Sequence, residues 1–185
     1  MSVPARFVGA WQREYLAADG CAVVGIGRTI WIEAGGTYVD VRAPGTIASN
    51  TSFGGRSGWR PPHFTWHHDI DLDPRPDAID RAELTVVGDR IVERGFGLTA
   101  AAVPYVEHWH RLPTTSRVTS IAAHEYGLAV RVGTYAAALL ASPRCACCWE
   151  HGGGRWRTVI SLGPVAELPE PSAGGWALTR GWYAR

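Results

Sequence analysis

Alternation of apolar and polar positions, rather than any helical period, runs through most of this chain. Over Val103–Leu112 it sets Tyr105, Glu107, Trp109 and Arg111 on one face and Pro104, Val106, His108, His110 and Leu112 on the other. Just upstream, Ala82–Val87 and Arg90–Gly95 flank Gly88-Asp89, a pair suited to the positive φ of a two-residue hairpin turn. Arg28–Glu33 and Thr37–Ala43 flank Gly35-Gly36 in the same way. Phe7–Ala17 reads as a first strand with Trp11, Arg13 and Tyr15 on one face. Phe64–Leu72 reads as another, stopped by Asp73-Pro74-Arg75-Pro76 because proline cannot donate to a ladder. Arg117–Glu125, Leu128–Leu140, Arg155–Leu162 and Gly174–Tyr183 are further extended candidates, although Ala136–Ala141 also suits a short helix. Pro44–Pro62, rich in Gly, Ser, Asn and Pro, reads as a long loop with room for one short strand near Thr51–Phe53, a candidate lid with Trp59 and Arg60 near the mouth of the fold. Nine or ten strands with short connections predict an all-β chain, a single antiparallel up-and-down barrel of about 8–10 strands with little helix. Closing the sheet removes the edges that so many strands otherwise expose.

Composition narrows the picture. With 185 residues, 46% of them hydrophobic and 19% charged, the chain is expected to be one domain spanning 1–185 with a substantial core. A formal net charge of +1 gives no electrostatic reason to invoke nucleic acid or an anionic membrane as partner. All 18 basic residues are Arg, which excludes Schiff-base and lysine-nucleophile chemistry. Nine Trp can fill a small β-structure or wall a pocket for a flat ligand. The N-terminal stretch has no apolar core of a signal peptide, and no run suits a transmembrane helix, so the expected compartment is the cytoplasm. Three of the four Cys crowd into Cys145–Cys148, unlike a secreted disulfide framework. The oligomeric state is left open, a homodimer included.

The opening Gly9-x-Trp11-x-Arg13, followed by TIWIE, YVDVR, WHHDIDLDP, GDRIVERG and YVEHWHR, resembles a bacterial and fungal branch of the lipocalin-like (calycin) proteins. The resemblance covers roughly residues 7–112. It lacks the second and third lipocalin signatures and a cysteine pair tying the C-terminal segment to the barrel. It implies a ligand-holding barrel open at one end, with Gly-x-Trp packed at the closed end, often beside an Arg.

Four groupings bear on chemistry. If the face that carries Trp11-x-Arg13, Tyr38-x-Asp40-x-Arg42 and Tyr105-x-Glu107-x-Trp109-x-Arg111 lines the lumen, Asp40 and Glu107 must pair with Arg13, Arg42 and Arg111, because a buried charge without a partner is costly. On an outer face the same residues are weak cross-strand pairs. Trp66, His67 and His68 precede Asp69, Asp71 and Asp73. Alternation buries His68, as an acid/base or a satisfied core imidazole, while the aspartate row lacks the Gly and Glu of a calcium loop. His108-x-His110 with His124, and Cys145, Cys147 and Cys148 with His151, have metal-ligand types, but their spacing favours ordinary core and surface roles, and no metal is assigned. Nucleophile elbows, P-loops and dinucleotide fingerprints are absent.

These readings converge on an expected carrier of a small, partly apolar, aromatic molecule. Its ligand-binding set is Arg13, Tyr38, Asp40, Arg42, Trp59, Trp66, His68, Tyr105, Glu107, Trp109 and Arg111. Two alternatives stand beside it. One is an enzyme resembling barrel-shaped cyclases, isomerases or decarboxylases, with Glu107 or His68 as acid/base and Arg111 steadying an anion. The other is a haem-binding barrel ligated by His68, His108 or His124. No cofactor is otherwise expected.

Overall fold

The computed structural model describes residues 2–45, 52–73, 79–96, 103–114 and 119–185. Eight antiparallel strands form a closed ring: β1 (Gly9–Ala18), β2 (Thr29–Glu33), β3 (Thr37–Arg42), β4 (Phe53–Arg60), β5 (His63–His67), β6 (Ile79–Val87), β7 (Arg90–Phe96) and β8 (Pro104–Arg111). Each pairs with the next in sequence, and β8 returns to pair with β1, matching Trp11 to Arg111 and Arg13 to Trp109. Both hairpins anticipated at glycine pairs form, joining β2 to β3 and β6 to β7. Part of the region read as a long loop is strand instead: Phe53–Arg60 pairs with β3 and β5, while residues 46–51 lie outside the described residues.

The rest of the chain builds a second antiparallel sheet from β9 (Thr119–His124), β10 (Gly127–Val132), β11 (Tyr135–Ala141), β12 (Arg144–Gly152) and β13 (Arg155–Leu162). The run read as one strand over Leu128–Leu140 is two, folded back at Gly133-Thr134, and Ala136–Ala141 is extended, not helical. A short hairpin, β14 (Glu170–Ser172) with β15 (Gly175–Ala177), follows.

Three hydrophobic layers explain these patterns. The lumen is filled from the inward faces of the barrel by Trp11, Trp31, Tyr38, Phe64, Trp66, Ile91 and Trp109, among others. Ala10, Ile30, Ile32, Val39 and Val41 point outward from β1–β3 and pack on Leu128, Val130, Ala137, Leu139 and Cys148 of the second sheet. The sheet's far face buries Ala129, Ala138, Cys145, Cys147 and Trp149 beneath Leu168 and Trp182. Strands covered on both sides lose alternation. TIWIE, GLAVRV and nearly all of YAAALLA are therefore buried throughout, whereas β6, wet outside, keeps Ala82 and Leu84 in and Arg81, Glu83 and Thr85 out. Arg131 sits inside that apolar sandwich because its guanidinium donates to the carbonyls of Gly133, Ser172 and Ala173, fastening the β14–β15 hairpin to the sheet.

One irregularity moves a residue expected indoors. A bulge at Glu14 shifts the β1–β8 register between Arg13 and Tyr15, so Tyr15 turns outward and lies against exposed His108, ring centres 4.9 Å apart. No helix among the described residues is long and apolar enough to cross a membrane.

Candidate functional site

The two ends of the barrel are built differently. Short turns at 34–36, 61–62 and 88–89 mark one end, and the long connections leaving β1, β3, β5 and β7 mark the other. At the short-turn end the N-terminal segment plugs the lumen: Phe7 packs on Trp59 and Phe64, with centres 4.8 and 5.3 Å apart, and Trp11 Nε1 donates to the Phe7 carbonyl at 2.9 Å. Arg111 crosses over Trp11, guanidinium 4.1 Å from the ring, and donates to the Val8 carbonyl at 2.7 Å and to the Arg6 carbonyl. Gly9 leaves room for it, since a Cβ there would run into the guanidinium. Arg111 and Trp59, expected at a binding lumen or its mouth, therefore lie at the closed end, and the Arg that partners the Gly-x-Trp is Arg111, not Arg13.

Further up the lumen the inward face of β8 is the one bearing Tyr105, Glu107 and Trp109. Glu107 and Trp109 are buried, and His108 between them is exposed. Arg13 Nη1 donates to Glu107 Oε1 at 2.7 Å, and Arg42 grips Asp40 with two bonds of 2.9 and 3.2 Å. Tyr38 is wholly buried, its hydroxyl reaching the His67 carbonyl at 3.3 Å. Trp66 stands edge-on to Trp31, centres 5.7 Å apart.

Two further acids join this layer that a reading of the sequence by resemblance and spacing does not single out. Glu93 on β7 lies directly across from Glu107 in the β7–β8 register, and it accepts from Tyr105 Oη at 2.8 Å and from Trp109 Nε1 at 2.9 Å. Asp80 on β6 accepts from the same Tyr105 hydroxyl at 3.3 Å. The phenol reaches both acids because Gly95, its cross-strand neighbour, has no Cβ: one there would fall 2.7 Å from the ring. The alternation in RIVERG held the signal, since Ile91 and Glu93 share a face opposite Arg90 and Arg94.

Electrostatics separate the two facing carboxyls. Burial, then the negative neighbours Glu107 and Asp80, push Glu93 well above the ordinary carboxyl range. Burial also raises Glu107, but Arg13 and Arg42 pull it back. Like charges directly opposite on adjacent strands repel, and away from water the repulsion is not screened. Of the two, Glu93 is therefore the carboxyl that holds a proton more readily, and Glu107 the one whose charge Arg13 favours. Burial and the same carboxylates raise Tyr105, which stays a neutral donor.

Trp31, Phe53, Trp66 and Trp109 wall a cavity of about 10 Å³ with Asp40, Arg42, Asp80, Glu93 and Glu107 around it. It has room for roughly one water. Trp31, 1% exposed, has no hydrogen-bond partner for its indole N–H among the described residues. The larger hollow of about 550 Å³ lies on the outer wall, where Arg81, Glu83 and Arg94 border it together with Ala82, Gly95, Pro104, Tyr105 and Val106.

The histidines do not share a site. His68 Nδ1 meets Asp71 Oδ2 at 3.0 Å, and its ring stacks on Phe53 at 3.9 Å. His110 pairs with Glu14 on the outer wall, and His124 packs on Trp182. Among the described residues no three His, Cys, Asp or Glu side chains are grouped to hold a metal ion. Burial pushes Cys145 up to about 11 and Cys147 up to about 12 and raises Cys148 further, so these thiols behave as small core side chains.

No protein-family model matches this chain. Comparison with curated proteins and with solved structures likewise finds no match. What is established is thus a closed eight-strand antiparallel barrel, plugged at one end, with a buried polar layer toward the other.

Proposed function

We propose that this chain is a lipocalin-like binding protein that receives a small, partly apolar aromatic molecule at the open end of its barrel. The polar end of that molecule enters the cavity between Glu93 and Glu107, and its body lies against the surrounding rings. The observation that carries this reading is the cavity itself. Aromatic walls, a few convergent polar groups and an unsatisfied buried N–H meet at one place in an otherwise filled lumen. In this reading Asp40, Arg42, Trp66, Glu107 and Trp109, with Trp31, Phe53, Asp80 and Glu93, surround the ligand's polar end, Arg13 and Tyr105 bond to Glu107 and Glu93 beside it, and Arg111 and Trp59 serve the plug. His68 supports the wall from behind Phe53, and Tyr38 packs edge-on to that ring.

The test is a thermal-shift and tryptophan-fluorescence screen with aromatic amines, alcohols and acids. A ligand of the folded state raises the melting temperature by mass action. Trp109 and Trp66 lie at the cavity, so a true ligand also changes their emission. Absence of saturable binding across the panel overturns the reading.

A second reading, an acid–base enzyme in the same chamber, draws on one specific feature: Glu93 and Glu107 face each other with unlike tendencies to hold a proton, as a proton donor and an acceptor require. Turnover of a bound ligand that disappears in Glu107→Gln, with the fold intact, would favour the enzyme over the carrier.

A further inference from the structure

Arg131 is a buried charge of the second sheet that the lumen reading does not use. It shares the far face of β10 with Ala129 and is 7% exposed, and carbonyls alone hold its guanidinium. Nε donates to Gly133 at 3.1 Å, and Nη1 donates to Ala173 at 3.4 Å and to Ser172. Carbonyl dipoles solvate a guanidinium without neutralising it. Arg13, Arg42, Arg56 and Arg90 each meet a carboxylate, whereas Arg131 meets none among the described residues. Burial pulls its pKa below the ordinary guanidinium value, with no neighbouring charge to offset it. A charge so far removed from water calls for a counter-ion.

The place for one lies beside it. Arg131 borders a hollow of about 440 Å³ at the end of the sheet, where the turn at Gly133-Thr134 lies near the one at Gly153-Gly154. A space of that size suits a small molecule. Its Nη2 has no partner among the described residues and is not enclosed. Trp156 walls the hollow, its ring 5.0 Å from the guanidinium carbon and 5.1 Å from the His151 imidazole. Thr134 adds a hydroxyl, and among the described residues no Asp or Glu lines the space. The lining thus offers donors and an aromatic wall but no negative charge.

One guanidinium balances one negative charge, whereas a phosphate monoester carries nearly two at neutral pH. With Nε and Nη1 spent on carbonyls, Arg131 has no two-pronged fork to present, so one oxygen of an anion takes Nη2 and the next falls to Thr134 or His151. We propose that this hollow is a second binding site, for a small organic monocarboxylate whose acid group meets Arg131 and whose apolar body lies against Trp156. The site is on the face of the second sheet turned away from the barrel and is independent of the lumen reading.

Isothermal titration of the full chain with 3-phenylpropionate, 3-phenylpropanol and phenyl phosphate, with tryptophan emission followed in parallel, tests it. The carboxylate is expected to bind saturably, and the alcohol and the phosphate about tenfold more weakly or worse. Thr134→Val, at a half-buried turn position, is expected to weaken the acid about three- to tenfold. Arg131→Gln is expected to abolish binding, and Trp156→Phe to remove most of the emission change. Arg131 also fastens the β14–β15 hairpin, so circular dichroism checks the fold of Arg131→Gln; if that variant unfolds, the other two decide. Tighter binding of the alcohol or the phosphate overturns the carboxylate assignment. Acid binding that the folded variants leave unchanged lies elsewhere and overturns this site without touching the lumen reading, and so does the absence of any acid binding.

Discussion

Glu33 ends β2 on the same inward face as Trp31, wholly buried, accepting from the Gly36 N–H at 2.6 Å and the Ser57 hydroxyl at 2.7 Å. Burial outweighs those two bonds and lifts its pKa from 4.5 to about 7. The folded chain therefore holds a proton that the unfolded chain has already released across that window. Stability from this group is complete below about pH 4.5 and is lost as pH rises through about 7, for a total of about 3 kcal/mol. Glu33→Gln removes the titration and keeps the geometry: the amide oxygen still accepts from Gly36, and the Ser57 hydroxyl rotates to accept from the amide NH₂. Urea unfolding of both proteins at about pH 5 and about pH 8 measures the effect as the difference between their stabilities. Glu93 and Glu107 also destabilise the fold as pH rises, but they do so in both proteins and cancel. The native protein is expected to lose about 2–3 kcal/mol relative to the variant between those two pH values. A difference that stays constant, or that moves in favour of the native protein at high pH, refutes the placement of a neutral Glu33 in this pocket.

Other perturbations probe other parts of the molecule. Glu107→Ala strands Arg13 in the lumen and is expected to cost about 3–5 kcal/mol, much of it recovered when Arg13→Met is added, as a double-mutant cycle by urea unfolding reveals. Arg111→Ala orphans the Val8 and Arg6 carbonyls and uncovers Trp11; a loss of about 2–3 kcal/mol, with quenching of tryptophan emission by added acrylamide increased at the plug, is expected. Thiol titration of the native protein should label Cys21 alone, with the other three reacting only after denaturation; rapid labelling of Cys145 or Cys147 in the native state would contradict their burial.

The barrel was legible because its turns and its alternation are local. Gly35-Gly36 and Gly88-Asp89 mark hairpins with no knowledge of the rest, and the period of Tyr105, Glu107 and Trp109 matches their inward face. The second sheet was not. Its strands are buried on both faces, so GLAVRV and YAAALLA carry no alternation to say which neighbour lies on which side, and the ring's closure at β8–β1 joins residues about a hundred positions apart. Arg111 shares a face with Glu107, but a strand face extends along the whole barrel, and four residues further along it reaches the plug. Glu14 moved Tyr15 outdoors by a bulge that no pattern announced. RIVERG carries charge on both faces, so its alternation groups Glu93 with Ile91, and the pairing with β8 then shows that this face is the inward one.

Among the described residues the second sheet packs chiefly on β1–β3, and also meets Gly54 of β4 and Ile70 and Leu72 beyond β5, so one side of the barrel wall is backed by a second apolar layer. Arg13, Trp31, Asp40 and Arg42 stand on the doubled side, braced between the lumen and a second apolar layer. Trp66, Asp80, Glu93, Tyr105, Glu107 and Trp109 stand on strands with water behind them. If the lumen holds a ligand as proposed above, the strands backed by water, β5–β8, are the side with room to give way, and β1–β3 the side held by a second layer. The two buried guanidinium–carboxylate pairs of this layer among the described residues straddle that division: Arg42 to Asp40 lies wholly on the backed side, and Arg13 to Glu107 spans the seam where β8 closes on β1, tying the backed wall to the one that faces water.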